Sequence, residues 1–298
     1  MIVKPFVVGD GKEMYYRVWQ AQNEKKVLQL VHGASEHSGR YDEFARWLNK
    51  RNISVYALDN RGHGLNSEGL GFVHIDSDKW FRLVEDPLEL GKIISETTGK
   101  RPYLLGHSMG SFIARTMALE GGKYEKFFFT GTGWQSPAML ASSKLLVNLL
   151  IKIYGELRPD KMIDKMSFGQ YRSIMIKKGF ADNSYGWLTR DEEKQAEAMK
   201  EDALKELFSL GAFLSLLNLV EASQDPKGLN NVQAPVHFLS GDRDPVGDFG
   251  KGPKKAYELF RVAPFRAHLE IYEGMHHEIL NDTERLKVYD YIYYHMQK

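Results

Sequence analysis

The chain has 298 residues, and its 40 lysines and arginines nearly cancel its 39 aspartates and glutamates, leaving a formal net charge of +1. No basic block stands out along the chain, so we expect no nucleic-acid partner, because phosphate binding needs a clustered positive face. The chain has no cysteine, which excludes disulfide bonds, thiolate metal ligands and a cysteine nucleophile.

The first segment predicts two short strands joined by a turn at Gly9-Asp10-Gly11. It has no long apolar run after a basic start, so we expect no signal peptide. No stretch approaches about 18 uninterrupted apolar residues, so we expect no transmembrane helix. With the absence of cysteine, these features favour a cytoplasmic protein.

From residue 27 onward, short apolar runs alternate with longer segments of helical periodicity. Nearly continuous apolar runs are typical of strands buried on both faces, and strand–helix alternation favours a doubly wound α/β sheet. With the two N-terminal strands, the pattern predicts a mostly parallel sheet of eight strands flanked by helices. The later strands are predicted at 27–32, 53–58, 102–106, 126–131, 235–241 and 268–272, and the helices at 42–51, 78–98, 109–120 and 253–262.

The alternation stops in one long segment that shows helical patterns only. We interpret it as a helical cap inserted after the sixth strand, rather than as a separate C-terminal helical domain, because strand-like runs resume at Pro235. Within it, Thr189 and Glu192 predict a capping box at the start of a charged helix. The predicted boundaries are 1–133 and 232–298 for the α/β core and 134–231 for the cap.

The stretch Gly106-His107-Ser108-Met109-Gly110 lies between a predicted strand and a predicted helix. A bare G-x-S-x-G also occurs by chance in ordinary loops. A strand before it and a helix after it are the setting of a nucleophile elbow, where a serine sits on a tight, strained turn. The pattern therefore predicts that Ser108 is the nucleophile of an α/β hydrolase.

A serine hydroxyl needs a base, and the base needs an acid that orients it. In α/β hydrolases the acid and then the histidine follow the serine in the chain. Three of the later histidines lie within predicted strands or the last helix, whereas His276 and His277 follow the carboxyl end of a strand, where such sites gather. We favour His277 as the base. Asp242 and Asp244 follow the preceding strand, and we favour Asp244 as the acid, with Asp242 as a turn residue.

An oxyanion hole needs two backbone N–H groups aimed at the developing negative charge. We expect one from Met109, directly after the nucleophile. We expect the other from Ala34, in the loop His32-Gly33-Ala34-Ser35 that follows the strand at 27–32. A simple turn that ends the strand is the alternative.

Other chemical motifs are incomplete. The stretch Gly131-Thr132-Gly133 lacks the third glycine of a dinucleotide loop, and His277-Glu278 lacks the second histidine of a zinc protease. The run that begins at Asp242 lacks the later ligands of a calcium loop. We therefore expect no cofactor and no metal.

These motifs together resemble those of monoacylglycerol lipases and lysophospholipases, within the serine aminopeptidase S33-like hydrolases. The resemblance is looser in the cap, and Asn60 stands where the family often has His or Gln. The matching stretches are His32 to Tyr41 for HG-x-x-EHSGRY, Asp59 to Gly64 for D-x-RGHG, Gly106 to Gly110 for GHSMG, and Gly241-x-x-Asp244 and Gly274-x-x-His277-Glu278 for the acid and base.

The resemblance implies cleavage of a carboxylic ester, through an acyl-enzyme, in a small lipid with one acyl chain. It also implies that Glu36, Arg40 and His107 contact the alcohol part of the substrate. Alternatively, Glu36 and Arg40 only pair with nearby charges such as Arg61 and Asp59.

Two apolar cap segments, residues 145–154 and 204–220, bear on the substrate. Their side chains either pack only against the sheet and one another, or line an acyl tunnel or expose an apolar face to a membrane.

An S33-type aminopeptidase or amidase is an alternative function, but the Gly-Gly-Pro-Gly-type oxyanion loop usual for such peptidases is absent. A small-ester carboxylesterase is another alternative. The sequence leaves the acyl length, the head group and the oligomeric state open.

Overall fold

The computed structural model describes all 298 residues, and one eight-stranded sheet organises them. The strands are β1 (Ile2–Val7), β2 (Glu13–Trp19), β3 (Lys26–Val31), β4 (Ile53–Leu58), β5 (Tyr103–His107), β6 (Phe127–Thr130), β7 (Val236–Gly241) and β8 (Ala267–Tyr272). Their order in the sheet is β1-β2-β4-β3-β5-β6-β7-β8. Strands β3 to β8 are parallel, and β1 and β2 add an antiparallel edge. This confirms the predicted mostly parallel sheet.

Nine α-helices accompany the sheet. They are α1 (Asp42–Asn49), α2 (Arg82–Thr98), α3 (Met109–Leu119), α4 (Pro137–Tyr154), α5 (Lys161–Lys177), α6 (Glu192–Lys200), α7 (Leu210–Ala222), α8 (Lys251–Phe260) and α9 (Arg285–Gln297). Helices α4 to α7 lie between β6 and β7, where the sequence predicts the cap, and the word cap is used below for residues 134–231. The boundary residues of core and cap stay a prediction.

Successive side chains of the central strands pack on opposite faces of the sheet, as the period of a strand requires. Phe127 and Phe129 join the core on the face covered by α2, α3 and α8, whereas Phe128 joins the core covered by α1 and α9. Because helices cover both faces, central strands such as β4 and β6 are buried along their whole length and are mostly apolar rather than alternating. Catalytic chemistry is therefore confined to the loops at the strand ends.

One predicted local feature of the cap is wrong. Helix α6 begins at Glu192, and its N-cap is Asp191, whose side chain accepts from the N–H groups of Glu193 and Lys194. Thr189 instead donates its hydroxyl to the carbonyl of Asn281 at 2.9 Å. The side chain of Thr189, which the sequence pattern assigns to a capping box, is thus used in a contact between the cap and the core.

Candidate active site

The predicted elbow forms a sharp turn between β5 and α3. Ser108 has φ 53° and ψ −119°, a backbone conformation that costs a non-glycine residue about 1–3 kcal/mol. Its N–H donates to the carbonyl of Thr130 at 2.9 Å. A Cβ at Gly106 would lie 2.1 Å from the carbonyl oxygen of Gly110, and a Cβ at Gly110 would lie 2.1 Å from that of Val31. Both glycines are therefore required for the close approach of strand and helix.

The structure brings the three residues predicted as a triad into one hydrogen-bonded chain. The hydroxyl of Ser108 lies 2.9 Å from Nε2 of His277, and Nδ1 of His277 lies 3.0 Å from Oδ1 of Asp244. The three residues follow β5, β8 and β7, so they meet at the carboxyl end of the sheet. His277 and Asp244 are buried, which shields their interaction from water.

The partner of each ring nitrogen determines the protonation of His277. A carboxylate only accepts hydrogen bonds, so Nδ1 carries the proton toward Asp244, and the lone pair of Nε2 faces Ser108. Burial alone would lower the pKa of His277, but the surrounding carboxylates, with Asp244 the strongest, together hold that pKa above the ordinary histidine value. Asp244 is itself held in place, since its Oδ1 also accepts from the N–H of Val246 at 2.8 Å.

The adjacent candidates have other contacts. Nδ1 of His276 donates to the carbonyl of Gly186, in the cap, at 2.6 Å. Oδ1 of Asp242 accepts from the N–H of Gly274 at 2.7 Å, and so connects the turn after β7 to the turn that precedes the histidines. The geometry therefore favours His277 and Asp244 over their neighbours, as the spacing predicts.

Aromatic rings pack around His277. The ring of His107 lies 4.8 Å from it between centroids, and the ring of Trp187 stacks on it at 5.2 Å with an interplanar angle of 23°. A Cβ at Gly131 would lie 2.9 Å from both histidine rings, so only glycine leaves room for this packing. The sequence does not identify Trp187 as a site residue, because no sequence pattern around a single tryptophan predicts which distant residue it contacts.

Beside this site, hydrogen bonds join the cap to the core. Residues 186–190 of the cap run along the loop 276–282 of the core, and we call this contact the cap seam. The N–H of Glu278 donates to the carbonyl of Leu188 at 2.7 Å, and that of His277 to the carbonyl of Trp187 at 3.4 Å. At the end of the seam, Nε of Arg190 donates to Asp282 at 2.9 Å. The catalytic histidine candidate therefore lies in a loop that is shared between core and cap.

The residues predicted for the oxyanion hole lie at the same end of the sheet. Met109 is the first residue of α3, so its N–H has no partner within the helix. Ala34 also lines the pocket and its N–H makes no hydrogen bond within the protein. The loop before it touches the elbow, since a Cβ at Gly33 would lie 3.0 Å from Cβ of Ser108. Two donors are thus available beside the serine.

Glu36 and Arg40 form a buried charge network with Glu278. Nη1 of Arg40 lies 2.8 Å from Glu36 and 2.8 Å from Glu278, and Nη2 lies 2.9 Å from the second oxygen of Glu278. Burial raises the pKa of Glu36, but Arg40, two nearby histidines and the N–H of Gly33 together lower it to about 2, and Arg40 likewise lowers the pKa of Glu278. Both carboxylates are therefore ionised at neutral pH and both need the same arginine.

The alternative partners considered for Glu36 and Arg40 are wrong. Arg61 pairs with Asp86 at 2.9 Å, and Asp59 pairs with Arg17 at 2.6 Å. The third predicted binding residue, His107, is buried, and its Nδ1 lies 3.1 Å from Oγ1 of Thr130. Burial and the nearby His277 lower the pKa of His107 to about 4, so it is neutral at physiological pH.

A cavity of about 660 Å³ opens onto the serine and extends under the cap. Its wall contains the predicted triad base, both oxyanion candidates and the Glu36–Arg40–Glu278 network. Apolar side chains of the cap line the rest, among them Leu140, Leu146, Val147, Phe213, Leu217 and Val220. Part of each apolar cap segment therefore faces a cavity rather than only the sheet.

Known proteins match this chain over most of its length. The family model of serine aminopeptidase, S33, matches residues 22–284. A monoacylglycerol lipase of Mycolicibacterium smegmatis is 29% identical over 291 residues, which cover 94% of this chain and 91% of that one. Human monoglyceride lipase is 30% identical over 277 residues, which cover 91% of this chain and 82% of that one.

Among solved structures, a thermostable carboxyl esterase from Bacillus coagulans in complex with glycerol superimposes with a TM-score of 0.87. It is 23% identical and covers 100% of this chain and 98% of that one, so it shows the α/β-hydrolase fold. The family model matches most of the chain, and the sheet and elbow are those of that fold. The chain belongs to the serine aminopeptidase S33 family of α/β hydrolases.

Proposed function

We propose that the protein hydrolyses the carboxylic ester of a lipid with one acyl chain, such as a monoacylglycerol or a lysophospholipid. The observation that carries the proposal is the hydroxyl of Ser108, which lies 2.9 Å from Nε2 of His277 at the floor of a largely apolar cavity. The similarity to monoacylglycerol lipases supports the substrate class. The absence of cysteine supports a cytoplasmic location.

In the acylation step, His277 takes the proton of Ser108 as the serine oxygen attacks the ester carbonyl carbon. The N–H groups of Ala34 and Met109 donate to the carbonyl oxygen as it becomes negative. Asp244 stabilises the imidazolium that forms. The tetrahedral intermediate then breaks its bond to the alcohol oxygen, which receives the proton from His277 and leaves.

In the deacylation step, a water molecule takes the place of the alcohol. His277 removes a proton from it as its oxygen attacks the acyl carbon, and the same two amides hold the new oxyanion. Collapse of this intermediate releases the fatty acid and returns the proton to Ser108. The cycle needs neither a metal nor a cofactor.

The polar end of the pocket is proposed to bind the alcohol part of the substrate through Glu36, Arg40 and His107. All three line the cavity close to the serine. Because Arg40 is already bonded to two carboxylates, its main contribution is to hold their oxygens at fixed positions as acceptors for substrate hydroxyl groups. A hydroxyl-bearing alcohol such as glycerol suits this wall better than an apolar one.

The outer face of the cap is proposed to touch membrane surfaces. Helix α4 is long and apolar enough to cross a membrane, by length and composition alone. The sequence predicts no such helix, because serine, lysine and asparagine interrupt its apolar run. Only 11% of it is buried, and Leu145, Leu149 and Ile153 are 73%, 54% and 60% exposed. Lys152 of the same helix is exposed beside Leu149 and Ile153 and favours anionic lipid.

The proposed activity is tested with purified protein on monoacylglycerols, lysophospholipids, p-nitrophenyl esters and aminoacyl anilides. We expect turnover of the esters, with little cleavage of the anilides. The variant S108A should lose turnover by roughly a million-fold and should lose labelling by a fluorophosphonate. The variant S142A, which changes an exposed serine of α4, serves as the control. Preferential cleavage of the anilides would instead favour an aminopeptidase, and labelling that persists in S108A would refute the nucleophile.

A further inference from the structure

Helix α5 turns one polar stripe toward the cavity. Asp164, Ser167 and Tyr171 line it at spacings of three and four residues, which places them on one face of the helix, and Arg172 lines it beside them. Most of the surrounding cap wall is apolar. Two opposite charges on such a wall point to a polar substrate group, because charged side chains face an apolar cavity only at a cost.

Arg172 is unusual among the arginines of this pocket. It forms no ion pair and no hydrogen bond with the rest of the protein, and its Nε is buried without any partner. Its two terminal nitrogens also have no partner and remain accessible. By contrast, Arg40, the other arginine of the cavity wall, is bonded to two carboxylates.

The only charged neighbour of Arg172 on α5 that faces the cavity is Asp164, two helical turns earlier. Burial raises the pKa of Asp164 and the positive charge of Arg172 opposes that rise, but the two side chains are more than 4.0 Å apart and form no ion pair. The two terminal nitrogens therefore keep all their donors for another group. A guanidinium presents those donors as a planar fork that matches carboxylate and phosphate oxygens.

We infer that Arg172 binds an anionic group of the substrate inside the cavity. Two sources share this chemistry, namely the phosphate of a lysophospholipid head group and a carboxylate at the far end of the acyl chain. The inference rests on the proposed ester hydrolysis at Ser108 and adds to it a preference for charged over neutral substrates.

The experiment compares kcat/KM on substrates that share one acyl chain, below their critical micelle concentrations. A monoacylglycerol and the lysophosphatidylglycerol of that chain differ by the phosphate. A p-nitrophenyl alkanoate and the p-nitrophenyl monoester of the corresponding dicarboxylic acid differ by the terminal carboxylate. The variants are R172Q, R172K and the control K165Q, which removes one positive charge from α5 at an exposed position outside the cavity.

We expect R172Q to lower kcat/KM about tenfold or more on the anionic member of one pair, and to leave the neutral members within about twofold. R172K should retain part of the preference, and K165Q should leave it unchanged. The pair that responds identifies the source of the anion. Equal effects of R172Q on neutral and anionic substrates, or the same loss in K165Q, would overturn the inference.

Failure of the proposed function is distinguishable from failure of this inference. If no ester is cleaved, binding of an alkyl phosphate and an alkyl carboxylate is measured by calorimetry in the wild type, R172Q and K165Q. Weaker binding of either anion in R172Q alone would support the site without the reaction. Equal binding of both anions in all three proteins would overturn it. Thermal unfolding checks that R172Q is folded.

Discussion

Trp187 of the cap stacks on the imidazole of His277 in the core, with ring centroids 5.2 Å apart and an interplanar angle of 23°. The seam around it adds a backbone hydrogen bond from the N–H of His277 to the carbonyl of Trp187. The orientation of the proposed base therefore depends on a residue that lies 90 positions earlier in the chain and belongs to another part of the fold.

The first prediction concerns this contact. The change W187A removes the stacked ring, and since an aromatic pair contributes about 0.5–1.5 kcal/mol, we expect kcat/KM to fall roughly two- to tenfold. W187F should keep most of the activity because it retains a ring. Steady-state kinetics on one ester, with thermal unfolding as a check, measures both. Full activity in W187A would mean that the stacking does not position His277.

The second prediction separates adjacent residues. D244N should lose about ten-thousand-fold in turnover, as expected when the acid of a triad no longer holds the histidine tautomer, and H277A should be severely impaired as well. H276A and D242N should keep most activity, because their hydrogen bonds go to Gly186 and Gly274. Turnover numbers of the four variants decide the matter, and an inactive H276A beside an active H277A would contradict the assignment.

The third prediction concerns pH. His277 must be neutral to take the proton of Ser108, so kcat/KM should fall as the pH drops through the pKa of His277. Asp244 raises that pKa, so the midpoint should lie above that of an ordinary histidine. In D244N the lowering effect of burial is opposed only by the carboxylates of Glu278 and Glu36, so the midpoint of the residual activity should move to lower pH.

The matched control for the pH profile is D242N, whose side chain contacts Gly274 rather than the histidine. Its midpoint should equal that of the wild type. A D244N midpoint that stays in place or moves upward would show that another group controls the profile.

The fourth prediction concerns the buried charge network. R40A leaves Glu36 and Glu278 buried without a cation, so we expect a loss of about 3–5 kcal/mol in the free energy of unfolding, measured by urea denaturation. At temperatures where R40A is folded, its preference among leaving alcohols of one acyl chain should change. The same fractional loss on every alcohol would show that Arg40 only stabilises the fold.

The fifth prediction concerns the acyl chain. Each buried methylene contributes about 0.8 kcal/mol, so kcat/KM on unbranched esters should rise roughly three- to fourfold per added carbon until the cavity is full, and then level off. The cavity of about 660 Å³ provides room for such a chain. A maximum at the shortest acyl chains would instead indicate a small-ester hydrolase and leave the triad assignment unchanged.

Structural features that depend only on residues close together in the chain can be predicted from sequence patterns. Strand β4 occupies the predicted residues, and the elbow has the predicted glycine spacing, because both depend on neighbours in the chain. The contacts of Arg40 with Glu278 could not be predicted, since 238 residues separate the partners. Arg172 likewise has no local pattern that marks it, and only the folded cap shows that it faces the cavity without a partner.

The cap seam distinguishes two parts of the cap, namely the segment that is hydrogen-bonded to the histidine loop and the remainder that is not. Residues 186–190 are bonded to the histidine loop by main-chain hydrogen bonds and by Arg190 with Asp282, so any displacement of this segment would carry His277 away from Ser108. An opening that admits a long chain and leaves the contact of His277 with Ser108 unchanged therefore has to occur in parts of the cap outside the seam. One part of the insertion can thus move to admit substrate, while another part keeps His277 in place for proton transfer.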